Sequence, residues 1–381
     1  MCIRDSKYIA LAYAAKIKLY QAYQQDETTH AVTSINKELL REVVSLCDQV
    51  TASNRYGLLD DFQGLDLVAN ENGKESVFAI QYSMNDGTES AGRINWSNLL
   101  NSPGGGSPYG GDGFFLPSQD LINAYQTDAN GLPDFNYQSK SDYSWAVLNN
   151  GVYTLQNTTP NVDPRLDFVV GRPTITWKTY PDKPCEGWVR DKETYGYNCA
   201  KRFWVSPESS DMFNGWPWGA SQLNWQIIRY ADILLWKAEA LIELNEGDGL
   251  ETARDLINQI RNRARNSAYV KDFNDHSKYA ANYLVNPYPA DVWNQDYARQ
   301  ALRWETRLEK ALEGERFFDL VRWGIVETTM NKYITAESDN RIYYANAHFT
   351  GGKDEYYPVP NNQYGFSGGK YVQNPGYAPF N

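Results

Sequence analysis

The chain has 381 residues, 42% hydrophobic and 22% charged, which is enough apolar matter for a packed core and too much for a disordered chain. Its 47 acidic side chains against 36 basic ones leave a net charge of −11, which argues against the basic face a nucleic-acid partner needs. No apolar run approaches the ~18 to 20 residues that cross a bilayer, and the outlying number is aromatic content: 28 Tyr, 12 Trp and 14 Phe.

Residues 1–6 (MCIRDS) resemble the translated end of a sequencing adapter, so they are read as non-native and the chain is expected to begin inside a longer one. No basic start, apolar stretch and small-residue cleavage site precedes Cys2, so Cys2 is not read as an anchor cysteine. Residues 7–23 (KYIALAYAAKIKLYQAY) predict a helix, rich in Ala and Leu, without Gly or Pro, and apolar every three or four positions. Residues 35–50 predict a second, with Cys47 on it as a buried small hydrophobe. Two such helices suit one half of a tetratricopeptide-like array. Residues 75–81 (ESVFAIQ) predict a short strand.

From about residue 95 the texture changes. Residues 101–119 (NSPGGGSPYGGDGFFLPSQ) are too rich in Gly and Pro for regular structure. A short helix follows from Leu121, with Ser118 as N-cap. Residues 137–225 scatter Trp and Tyr over short segments. Cys185 and Cys199 bracket a polar, turn-rich stretch, and a disulfide between them is weighed against two separate thiols. Helices return near Trp225, with Asn224 as cap and Ile227, Ala231, Leu234, Ala238, Leu241 and Ile242 on one stripe. Gly247 is placed for a left-handed turn, and residues 250–265 form the return helix with Leu250, Ala253, Leu256, Ile257 and Ile260 inward. The organisation expected is residues 7–94 as helical repeats and a short extended segment, 95–223 as an aromatic, loop-rich region, and 224–381 as a further helical repeat with its C-terminal extension.

Glu305, Arg307, Glu309, Glu313, Arg316, Asp319 and Arg322 read as one charged helical run. Glu305 and Glu309 share a face and tempt an acid–base reading. Acids and bases alternate among large apolar residues, however, so structural ion pairs are the reading preferred. HExxH, CxxC, calcium-loop, P-loop and GxSxG motifs are absent, so catalytic and metal residues are not assigned and cofactors are not expected. A calcium ion on dispersed carboxylates would leave no readable motif.

Four phrases then fall in a telling order: NWQIIRYADILLWKAEALIEL (224–244), LRWETRLEKALEGERFFDLVRWG (302–324), YYPVP (356–360) and QNPGY (373–377). Together they resemble the C-terminal half of the SusD/RagB family, and ESVFAIQ, GDGFFLPSQDLINAYQT and DPRLDFVVGRP add weaker similarity. The chain departs at Asn361, Asn362 and Gln363, where the family usually carries an acidic residue after the YYPVP-type phrase. The resemblance implies a mostly α, tetratricopeptide-like scaffold with a loop-rich binding face. It implies a surface-exposed outer-membrane lipoprotein, with the anchor missing from this chain, that captures a glycan for a SusC-type TonB-dependent β-barrel without catalysis. Sugar rings stack their C–H faces on Trp and Tyr while their hydroxyls seek planar polar groups. Trp96 with Asn98, Tyr109 with Asp112 and Phe114, Trp145 with Asn149, and Trp216 with Trp218 fit that recipe, each weighed against plain loop packing; Trp96 and Tyr109 rank first because they flank the glycine-rich loop. The rivals are peptide capture, as in the RagB branch, and a helical glycoside hydrolase using Asp112 and Asp120 or Glu186 and Asp191.

Overall fold

A computed structural model of the chain describes residues 6–89, 92–102, 104–143, 146–149, 152–155, 160–178, 187–196, 198–215 and 218–380. Its helices are α1 (Ser6–Ala22), α2 (Lys37–Thr51), α3 (Gln119–Ala124), α4 (Arg165–Val169), α5 (Lys192–Tyr195), α6 (Tyr230–Leu244), α7 (Gly249–Asn266), α8 (Gln295–Glu309), α9 (Arg316–Arg322), α10 (Val326–Ser338) and α11 (Asn361–Phe366). Short strands pair antiparallel in twos: β1 (Tyr23–Gln25) with β2 (Val32–Ile35), β3 (Ser76–Ile80) with β10 (Trp225–Arg229), β4 (Gln126–Thr127) with β7 (Asn161–Val162), β5 (Ala146–Asn149) with β6 (Val152–Leu155), and β8 (Val170–Gly171) with β9 (Cys199–Ala200). The fold is mostly helical, and the described strands close no barrel.

Helical spacing explains the scaffold. Ala12, Ala15, Leu19 and Ala22 on α1, and Leu40, Val43, Cys47 and Val50 on α2, are fully buried at matching intervals of three, four and three. Small residues on α1 let α2 approach closely. Asn36 starts α2 by accepting hydrogen bonds from the Glu38 and Leu39 amides at 3.0 and 3.2 Å. α6 is buried on nearly every side and joins α2, α7 and α8 in the same core. Ala253, Leu256, Ile257 and Ile260 of α7 face inward as their spacing predicts, with Leu250 half-buried beside them.

Two expectations need correction. The last helical pair does not begin near Trp225: residues Trp225–Arg229 form β10, and α6 starts at Tyr230. Asn224 therefore caps no helix. Its side-chain oxygen accepts the Tyr82 amide at 2.7 Å, which fixes the β3–β10 register. Asp232 does the capping, accepting the Arg229 amide at 2.7 Å. α6 ends with Asn245 in the left-handed region (φ 52°), and Gly247 also turns there (φ 54°). The charged run, likewise, is two helices. α8 ends at Glu309, the chain turns with Leu312 and Gly314 at positive φ, and α9 begins at Arg316.

That turn gathers the charges into one buried network where the scaffold meets the loops. Arg165 bonds Asp163, Glu305 and Glu309; Arg261 bonds Glu305; Arg229 bonds Glu75, Glu309 and Glu313; Arg263 bonds Glu75 and Glu309. Arg202 joins Glu313 to Asp66, Lys178 also reaches Asp66, and Lys310 links Glu313 to Asp232. The seven acids named balance the seven bases, so the cluster is neutral and each charge keeps a partner out of water. The expectation of structural ion pairs holds: Glu305 and Glu309 are wholly enclosed by arginines.

Beside this network lies a second core, in which Phe62, Tyr125, Leu166 and Phe168 pack with Leu308 and Ala311. A third, small and aromatic, lies under the glycine-rich loop, built of Tyr109, Trp177, Trp188, Val189, Cys199 and Trp204.

Candidate functional site

The glycine-rich loop folds back on its own start. The Asp112 and Phe114 amides donate to the Leu100 carbonyl at 3.3 and 3.0 Å, and the Gly113 amide donates to the Ser102 carbonyl at 2.7 Å. Gly111 makes this possible: its φ is +91°, and a Cβ there would lie 2.3 Å from the Ser102 oxygen. The glycines thus serve a sharp turn and self-packing.

This folding sorts the candidate residues. Tyr109 points down and is 1% exposed. Its hydroxyl donates to the Val205 carbonyl at 2.7 Å and accepts from Trp177 Nε1 at 2.9 Å, and its ring lies 4.7 Å from Trp204. Tyr109 is therefore a core residue with no face open to a sugar, contrary to the expectation. Asn98 is corrected likewise: it is buried, with Nδ2 donating to the Phe203 carbonyl at 2.7 Å, and it anchors the loop.

Three rings do face outward: Phe114 at 71% exposed, Trp218 at 54% and Trp96 at 43%. Each hangs from clamped backbone. Trp96 sits between buried Asn98 and Asn95, whose amide and side chain donate to the Ser221 and Leu223 carbonyls at 2.8 and 3.1 Å. Trp218 precedes Gly219, whose missing Cβ would lie 2.9 Å from the Tyr109 carbonyl, so Trp218 is set directly over the aromatic core; its own Cβ would be 3.7 Å from one on Gly110. Asp112 is exposed and paired with Arg190 at 2.8 Å, and Arg190 also donates to the Gly111 carbonyl at 2.9 Å. Exposed rings beside an amphipathic ion pair suit a ligand with both apolar faces and hydroxyls. Trp145, Trp216, Cys185 and Glu186 lie outside the described residues; Cys199 is buried.

An open cleft of about 610 Å³ adjoins this surface, lined by Met84, Asn85, residues 207–210 and residues 212–214, within the size range of ligand sites. Antiparallel bridges from Asn95 to Ser221 and from Ser221 to Met212 connect its wall to the Trp96 segment. Sequence reasoning missed this cleft and Arg190, because Met, Ser and Asn on turns carry no periodic signal. Below it, Glu71 accepts the Asn224 amide at 2.6 Å, and burial first, then nearby Asp211, pushes its carboxyl up to about 7 against the amide's opposing pull.

The acids weighed for hydrolysis have other partners. Asp120 is buried, accepting from Tyr137 and Gln138 at 2.7 and 2.8 Å and pairing with Arg307 at 2.6 Å. Asp191 accepts the Thr194 amide at 3.1 Å. Among the described residues, no group of three or more His, Cys, Asp or Glu is placed to hold a metal ion, and no helix is long and apolar enough to cross a membrane.

A sequence profile of the SusD family matches residues 74–377. Among solved structures, a SusD superfamily protein from Bacteroides vulgatus is similar at 21% identity and TM-score 0.58, over 93% of this chain and 60% of that one. A SusD-like carbohydrate binding protein from Bacteroides fragilis is 20% identical at TM-score 0.56, over 85% of this chain and 53% of that one. Surface glycan-binding protein A from Bacteroides fluxus is 20% identical at TM-score 0.56, over 97% and 62%. At these identities the likeness is one of fold, and this chain spans less than two thirds of each structure's length. A search of curated proteins found no match.

Proposed function

The chain belongs to the SusD family, and on that premise we propose that it captures a glycan, without catalysis, on the surface carrying Trp96, Phe114 and Trp218. The single observation that carries this reading is the trio of outward rings on clamped loops beside the Asp112–Arg190 pair. Rigid rings lose little entropy on stacking, and the ion pair offers hydrogen bonds to the ring hydroxyls. Two relatives of the same fold are described as carbohydrate- or glycan-binding proteins, which supports the choice of ligand. In the longer protein the family implies, the domain would be lipid-anchored at the outer-membrane surface and would pass its glycan to a SusC-type TonB-dependent β-barrel. Few stacking contacts on an open face make modest affinity the expectation.

Native affinity electrophoresis in gels containing soluble starch, xylan, pectin, β-glucan or mannan tests this, with a reducing-sugar assay on the same panel. The expected result is retardation by at least one glycan with no sugar released, weakened in Trp96→Ala and Trp218→Ala. Retardation by none, with protein folded by circular dichroism, would turn attention to peptide capture; release of sugar would overturn the non-catalytic reading.

A further inference from the structure

A second group of exposed rings follows Arg190 along the chain. Arg190, holding Asp112 and the Gly111 carbonyl, leads within five residues to Tyr195 at the end of α5, a reach of at most roughly 18 Å even if fully extended. Tyr195 heads a run of tyrosines: its ring lies 6.3 Å from Tyr343, Tyr343 lies 4.6 Å from Tyr344, and Tyr344 lies 5.5 Å from Tyr333, with the last two hydroxyls 3.2 Å apart. Gly196 seats this junction. Its φ is +74°, the left-handed region that favours glycine, and the Arg341 guanidinium of the 341–344 turn lies against it. Tyr195 and Tyr343 remain 45% and 51% exposed, braced by half-buried Tyr344 and Tyr333.

We propose that the glycan surface continues from Phe114 across Arg190 onto Tyr195 and Tyr343, so that the ligand is an extended oligosaccharide chain held at two separate stacking points. This rests on the glycan reading above and adds the size class of its ligand. Each tyrosine offers a flat face for sugar C–H groups. Two weak contacts joined through one chain reinforce each other by effective concentration, which lets an open face retain a long glycan while releasing a short one.

The test uses oligosaccharides of graded length, made by partial hydrolysis of the panel polysaccharide that most retards the parent protein. Affinity of the parent should climb with chain length. Tyr195→Ala and Tyr343→Ala should each weaken binding of the longest chains by roughly 2- to 10-fold, the worth of one stacking contact, and leave the shortest unchanged. Tyr343→Phe should retain binding, and all variants should melt with the parent. If Trp96→Ala weakens the longest chains while both tyrosine-to-alanine variants bind them like the parent, or if those variants lose equally at every length, the extension is wrong and the first surface stands. If the parent binds no glycan at all, the reading beneath it falls as well.

Discussion

At the scale of single residues, exposure separates binding from support. Tyr109 looked like a platform because aromatic residues beside glycine suit one, but the same pattern serves a core residue beneath a tight loop, and no local signal distinguishes them. Tyr109→Phe removes a donor to Val205 and an acceptor for Trp177, leaving buried groups unsatisfied. It should cost about 1–3 kcal/mol in urea unfolding, with glycan binding intact under conditions where the variant stays folded. Glu309 is a sharper case. Burial alone would raise its pKa, but Arg263, Arg229 and Arg165 outweigh it and hold the carboxyl down at about 2. Replacing it with Gln leaves those arginines short of charge and should destabilise by about 3–5 kcal/mol, read as a shifted urea midpoint.

The pH dependence of stability follows from two carboxylates, Glu309 and Glu71, with opposite signs. Glu309 titrates lower in the folded chain than in the unfolded one, so its contribution is present above the ordinary carboxylate range and is lost as pH falls toward 2. Glu71 titrates higher when folded. Its contribution is present below the ordinary range and is lost as pH rises through about 7. Urea midpoints from pH 4.5 to 8 should therefore fall more steeply in the parent than in Glu71→Gln; equal slopes would show that Glu71 titrates as in water.

At the scale of elements, legibility tracked locality. α1, α2 and α7 were readable because their core stripes repeat every three or four residues within one segment. Asn36, the actual cap of α2, follows the same local logic, and Asn36→Ala should cost about 1 kcal/mol by thermal melting. Residues 225–229 were misread because WQIIR is a short apolar run that suits strand or helix equally. What decides is β3, more than 140 residues earlier in the chain, and Asn224 locking the pair through the Tyr82 amide. The break in the charged run was hidden for a related reason. Gly314 is tolerated inside a helical pattern, and nothing nearby announces that Leu312 will turn left-handed.

At the scale of the whole molecule, a stacked helical core carries an irregular face, and the neutral ionic network lies between them. The scaffold was legible, as was the aromatic character of the loops. Which rings point outward was not, because that depends on how the glycine loop folds onto residues 100–102 and on Gly219 beneath Trp218. On the proposed reading, the outward rings of this face hold a glycan. Isothermal titration of the retarding polysaccharide into the parent and into a Trp96→Ala/Phe114→Ala/Trp218→Ala variant addresses it most directly, with melting curves recorded on both. Melting should be unchanged and binding lost in the variant; binding retained at the parent's affinity would rule the glycan surface out.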